Sequence, residues 1–156
     1  DDVDRASTLF QFISATSFVP RNSDMTYEYY GTGCVYRTGG GKNTTHSLQL
    51  PEGAEIDYLR IYFYDNDPSY NASATLVTYD GYGDFDEITT VSSSGTPGQS
   101  SALSPYFSHI VDNLNESLNL VLNYHSATTS ELRICGVRIR YHYSGIFGTF
   151  LPHIQN

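Results

Sequence analysis

The sequence predicts an all-β protein, a jelly-roll-like antiparallel β-sandwich with one disulfide, Cys34–Cys135. Three observations carry this expectation. The chain has 14 Tyr and 8 Phe but a single Met and no Trp, and with its many Thr, Ser and Val it suits pleated, half-buried surfaces better than helices. Apolar residues recur with period two, and no segment carries the 3.6-residue apolar period of an amphipathic helix. Clusters of Gly, Pro, Asn and Asp interrupt the chain at short intervals, as turns do between the strands of a sandwich.

Taken in order, residues 9–18 are the first expected strand, after the polar opening Asp1-Asp2-Val3-Asp4-Arg5. Residues 26–30 and 34–37 follow, and residues 45–50 come after the turn Gly39-Gly40-Gly41. The clearest alternation lies in residues 55–65, where Leu59, Ile61 and Phe63 fall on one face and Tyr58, Arg60, Tyr62 and Tyr64 on the other. Shorter strands are expected at 74–79, 87–92 and 108–111, with the Ser-rich stretch 92–101 read as punctuation. Residues 117–124 bring Leu118, Leu120, Leu122 and Tyr124 together. Residues 131–143 set Cys135, Val137, Ile139 and Tyr141 against Arg138, Arg140 and His142. Both should be long central strands. Residues 1–143 thus read as one sandwich domain and 144–156 as an apolar extension.

A chain of 156 residues is long enough to bury its own core. Its net charge of -9, with scattered basic residues, disfavours nucleic acid as a partner. No stretch approaches the ~18 apolar residues of a membrane helix, so no direct membrane insertion is expected. Cys34 and Cys135 each lie in an apolar segment, and a bridge between them fits an oxidising compartment; the alternative is two buried free thiols. Low Lys content and a start at Asp1 rather than Met add to the expectation of a secreted, extracellular or cell-surface protein. Asn43, Asn71 and Asn115 each head an Asn-x-Ser/Thr triplet and are candidate glycosylation sites.

No catalytic residues are expected. His46, His109, His125, His142 and His153 show no metal-type spacing, and no Gly-x-Ser-x-Gly elbow occurs. Glu55 with Asp57, or Asp84 with Asp86 and Glu87, would be the acid pairs of a glycosidase, but they lie near turns. Asp65, Asp67, Asp80, Asp84 and Asp86 are weak calcium candidates, because acidic turns supply hard oxygen ligands; they equally serve as turn formers. The outward row Tyr58, Arg60, Tyr62 and Tyr64, beside Arg138 and Arg140, offers flat rings and fixed donors. It is either cross-strand pairing or a recognition face.

The segments Ser17-Phe18-Val19-Pro20-Arg21, Gly31-Thr32-Gly33-Cys34-Val35-Tyr36, Leu50-Pro51-Glu52-Gly53-Ala54, Leu59-Arg60-Ile61-Tyr62-Phe63-Tyr64-Asp65-Asn66 and Leu132-Arg133-Ile134-Cys135-Gly136-Val137-Arg138-Ile139 resemble a family of small secreted bacterial β-sandwich domains of unknown function. The resemblance spans about residues 15–143 and implies an extracellular sandwich, with no activity attached. Beyond it, Ile146, Phe147, Phe150, Leu151 and Ile154 form an uncharged apolar segment that must pack on something. The expected function is therefore non-catalytic and structural: a subunit of an extracellular filament or matrix, self-associating by strand exchange through that segment. The alternative is a monomeric carbohydrate-binding or adhesive module that works through its Tyr-rich face or its acidic loops.

Overall fold

The computed structural model describes residues 7–31, 33–94 and 98–144. Its strands are β1 (Ser7–Ser14), β2 (Val19–Pro20), β3 (Thr26–Tyr30), β4 (Cys34–Gly39), β5 (Asn43–Ser47), β6 (Glu55–Asp65), β7 (Ser73–Tyr79), β8 (Phe85–Ser92), β9 (Gly98–Leu103), β10 (His109–Ile110), β11 (Ser117–Asn123) and β12 (Leu132–Tyr143). They form an antiparallel sandwich of a seven-stranded and a five-stranded sheet. Among the described residues the helical structure is one 3₁₀ turn, Ala15–Ser17, and no helix is long and apolar enough to cross a membrane.

The seven-stranded sheet is built on β6 and β12, which pair from Asp65–Leu132 to Glu55–His142. Beyond β12, β1 runs from Ser14 opposite Gly136 to Ser7 opposite Tyr143. β4 takes over that edge at Val35 opposite Ile134, with β3 outside it. Beyond β6 lie β9 and β10. The five-stranded sheet has the order β2-β5-β11-β7-β8. Between the sheets the alternating positions do what their spacing predicts: Leu59, Ile61 and Phe63 of β6 meet Leu118, Leu120 and Leu122 of β11, all nearly inaccessible to solvent. Tyr124 closes that row, and burial pushes its phenol far above the usual tyrosine range.

Several elements depart from the sequence expectation; besides the unexpected β2 and the shift of the strand expected at 45–50 to Asn43–Ser47, three bear on the outward face and its edges. Residues 98–103, of which 98–101 fall in the stretch read as punctuation, form β9, which pairs with β6 from Gly98–Asp65 to Leu103–Arg60. Gly, Gln and Ser have little intrinsic strand preference, and the unpaired edge of β6 supplies the hydrogen bonds that overrule it. The first strand stops at Ser14, where the chain enters the 3₁₀ turn. In β12, strict alternation put Cys135 on the buried face with Val137 and Ile139, and this is corrected. Ile134 opposes Phe63 and Gly136 opposes Tyr62, so Cys135 is an extra, unopposed residue, half-buried and bridged to Cys34. Ile134 takes the core position instead.

A second bulge lies at the other end of the same ladder. Arg140 opposes Tyr58 and Tyr141 opposes Ile56, which leaves Asp57 unopposed. Its carboxylate is thereby placed with the outward-facing Arg140 and His142 rather than in the apolar core.

Gly136 allows β1 to close on β12. A Cβ there would lie 2.6 Å from Cζ of Phe12 and 2.8 Å from the carbonyl oxygen of Ile13. The ring can swing away, but the carbonyl is fixed in the ladder. Gly136→Ala should therefore destabilise by about 1–3 kcal/mol, measured as a lower denaturant midpoint at unchanged slope. An unchanged midpoint would show that β1 does not press on this position.

Candidate functional site

The outward face of the seven-stranded sheet is laid out in rows by register. Phe10 of β1, Arg140 of β12 and Tyr58 of β6 lie side by side. The next row is Phe12, Arg138, Arg60 and Leu103 of β9, followed by Gly136, Tyr62 and Ser101. Aromatic rings and guanidinium groups are thereby brought side by side, and in the second row two arginines, Arg138 and Arg60, are direct neighbours. Phe10, Tyr58, Arg60, Leu103, Arg138 and Arg140 line a shallow cleft of about 270 Å³.

The rings and cations hold one another. Arg140 stands over the Tyr58 ring at 4.3 Å, and Arg138 lies 5.3 Å from the centre of Phe10 and 5.8 Å from that of Tyr62. Phe12 meets Tyr62 edge-on at 5.4 Å, and Tyr106 meets Tyr58 in the same way at 5.8 Å. Phe10, Phe12, Leu103 and Tyr106 are nevertheless each about half exposed or more. Farther along the face, Arg133 is clasped between Tyr30 and Tyr64, 3.8 and 3.7 Å from their ring centres. That guanidinium is almost buried, and it staples β3 to the sheet.

The three arginines of the cleft differ in their electrostatic partners. Arg140 Nε and Nη2 donate to the two carboxylate oxygens of Asp57 at 2.9 and 2.6 Å. His142 Nε2 lies 2.9 Å from the same carboxylate, and its Nδ1 is 3.1 Å from the Thr8 hydroxyl. Burial pushes the Asp57 carboxyl up, but the hydrogen bonds and charges of Arg140 and His142 outweigh that and hold it below the usual carboxylate range. Asp57 is thus an ionised anchor for Arg140 and is not set up as a proton donor. Arg60 Nη1 donates to the Ser101 hydroxyl at 2.9 Å. Among the described residues, neither Arg60 nor Arg138 has a carboxylate within 4.0 Å.

The remaining candidates from the sequence are dispersed. Asp65 is buried and accepts from the Ser93 hydroxyl and the Asp67 amide. Asp67 accepts from the Ser69 and Tyr70 amides, and Asp80 from those of Tyr82 and Asp84. These carboxylates build turns, as Asp does by bonding backbone a few residues on. Asp80, Asp84 and Asp86 border a depression of about 190 Å³, yet among the described residues no three His, Cys, Asp or Glu are grouped to hold a metal ion. His109 pairs with Glu116 at 2.7 Å, and Glu55 accepts from the Ser108 hydroxyl.

Of the sequon residues, Asn71 and Asn115 are exposed, and the Asn115 amide donates to Asp112 at 2.7 Å. Asn43 is half-buried within β5, and its Oδ1 is buried. Ile146, Phe147, Phe150, Leu151 and Ile154 lie outside the described residues.

The sequence brought Tyr58, Arg60, Tyr62 and Tyr64 to one face and set Arg138 and Arg140 beside them. Phe10, Phe12, Leu103 and Ser101 were missed. Phe10 and Phe12 do alternate in an expected strand, but only the pairing of β1 with β12 shows which face they join.

No protein-family model matches the chain, and no curated protein matches it. Solved structures share its fold at low identity. The C-terminal CBM6 of LamC, a marine laminarinase from Zobellia galactanivorans, superposes with a TM-score of 0.55 at 14% identity, covering 84% of this chain and 98% of that one. The CBM36-1 domain of a multidomain xylanase from the hindgut metagenome of Trinervitermes trinervoides gives 0.53 at 9%, over 88% and 100% of the two chains. The Podospora anserina GH26-CBM35 β-(1,4)-mannanase gives 0.50 at 12%, over 88% of this chain and 28% of that one. Such likenesses concern the fold.

Proposed function

We propose that this chain is a non-catalytic, extracellular carbohydrate-binding module that lays a glycan across the outward face of its seven-stranded sheet. The observation that carries the reading is the cleft itself, in which the exposed Phe10 ring and the half-buried Tyr58 ring stand beside guanidinium donors fixed by neighbouring rings, Ser101 and Asp57. Sugar rings present apolar C–H faces ringed by hydroxyl groups, and flat aromatics next to rigid polar groups match both. The cleft is smaller than the ~300–1,000 Å³ pockets that enclose drug-sized ligands, so it suits a segment of a longer chain resting on the surface. The sandwich architecture shared with carbohydrate-binding modules points the same way, and the disulfide fits a secreted protein. The filament reading rests on the terminal segment, and nothing in the fold comparisons speaks for it.

The test is affinity electrophoresis of the full chain, and of a version ending at Tyr143, against neutral glucans, xylan, mannan and acidic polysaccharides. Tyr58→Ala and Phe10→Ala should each weaken binding about 2- to 10-fold. Tyr82→Ala, which removes a fully exposed ring from the β7–β8 turn, should leave it unchanged. Absence of binding to every polymer, or binding indifferent to both cleft variants, would overturn the reading. Loss of binding on removal of residues 144–156 would return attention to the terminal segment.

A further inference from the structure

Arg60 and Arg138 face each other directly across the β6–β12 ladder, on the outward side and both within the cleft. Like charges directly opposite one another destabilise a sheet. The chain has 17 acidic residues against 8 basic ones, yet among the described residues no carboxylate neutralises this pair. One row away the same sheet shows what neutralisation looks like, in the bidentate grip of Asp57 on Arg140.

Neither guanidinium is saturated. Arg60 spends one donor of Nη1 on Ser101, and nothing among the described residues accepts from its Nη2; its Nε also lacks a partner but is buried, so the Nη groups are the donors the cleft can use. Arg138 is held by ring faces, which orient a cation without using its N–H donors. Two forks that share one floor, with donors unspent and charges uncompensated, are built to receive an anion bidentately.

We infer that the ligand is an acidic glycan, whose carboxylate or sulfate group is received between Arg60 and Arg138 while its sugar rings rest on Phe10 and Tyr58. The inference rests on the carbohydrate-binding reading and narrows it to the chemical class of the ligand. Indiscriminate attraction of polyanions is not the explanation, because a chain of net charge -9 repels them except where its cations are concentrated.

The experiment is titration of the full chain with polygalacturonate, with its carboxyl-reduced neutral counterpart, with dextran sulfate and with dextran. One acidic polymer should bind at least about tenfold more tightly than its neutral counterpart, and which one does so identifies carboxylate or sulfate as the recognised group. Arg60→Gln and Arg138→Gln should each weaken that binding about tenfold, with thermal melts checking that the variants are folded. Arg138→Lys, which keeps the charge but loses the fork, should fall between. Lys42→Gln, just before β5 of the opposite sheet, should have no effect. Equal binding of the acidic and neutral polymers, or glutamine variants that bind the acidic polymer normally, would overturn the acidic-ligand inference and leave sugar recognition standing. If none of the four polymers binds but a neutral polysaccharide from the wider panel does, the inference alone fails. If nothing in either set binds, the carbohydrate reading fails with it.

Discussion

Replacing Cys34 and Cys135 together by Ser is expected to lower stability by about 3–5 kcal/mol, through two additive effects. The first is the freedom returned to the unfolded chain, which is large because the bridge spans a sequence separation of 101 residues. The second is local to the native sheet. β4 joins β12 through a single register pair, Val35 with Ile134, because β1 occupies the rest of that edge. The disulfide leaves β12 at the adjacent bulge and fastens the seam covalently where the hydrogen-bond ladder is short.

Among the described residues the β3–β4 hairpin is also held by its core packing through Val35 and Tyr27 and by two arginines. One is Arg133 in its stack, and the other is Arg37, which donates to the carbonyls of Gly40, Gly41 and Ala127. Removal of the bridge should therefore loosen this hairpin before the rest of the molecule. Hydrogen exchange should show lost protection concentrated in residues 26–39, with the β6–β12 amides retaining theirs. Uniform loss across both sheets would mean that the bridge acts through the unfolded chain alone. Binding in the cleft should survive in the fraction that remains folded, since neither Cys34 nor Cys135 lines the cleft.

Asp57→Ala is expected to cost about 2–4 kcal/mol at neutral pH, below the full penalty for breaking a buried ion pair because Arg140 and His142 can regain part of their hydration. The effect has a pH signature. The folded carboxyl titrates below its unfolded value, which is near 3.9. Its contribution is thus complete above the unfolded value and disappears as pH falls through the lower folded one. Asp57→Asn should accordingly show a smaller stability loss between pH 7 and pH 3 than the parent protein. Parallel pH profiles for the two would refute an ionised Asp57 as an anchor. The same substitution releases Arg140 from its position over Tyr58, so the polygalacturonate or dextran sulfate affinity should change without any loss of a ring.

The sequence alone determined the fold class and the faces of the regular strands. Side-chain direction in a strand alternates by geometry, so Leu59, Ile61 and Phe63 could only be buried together, and Tyr58, Arg60, Tyr62 and Tyr64 only shown together. The same argument placed Leu118, Leu120 and Leu122 in the core. Alternation fails where a residue is inserted, and both insertions proved consequential. The bulge at Cys135 exchanges a core position for a disulfide, and the bulge at Asp57 turns a carboxylate outward to neutralise one arginine of three. A bulge depends on the partner strand's register, which no local pattern carries.

Strand neighbours were equally out of reach, because pairing is a long-range choice. That is why β9 escaped notice and why Phe10, Phe12 and Leu103 could not be assigned to the cleft. It is also why Arg60 and Arg138, far apart in the chain, become an uncompensated pair only when β6 and β12 meet in this register. The residue types of the outward face were written in the sequence; their adjacency, and hence the charge the face presents, was decided by the tertiary pairing of strands.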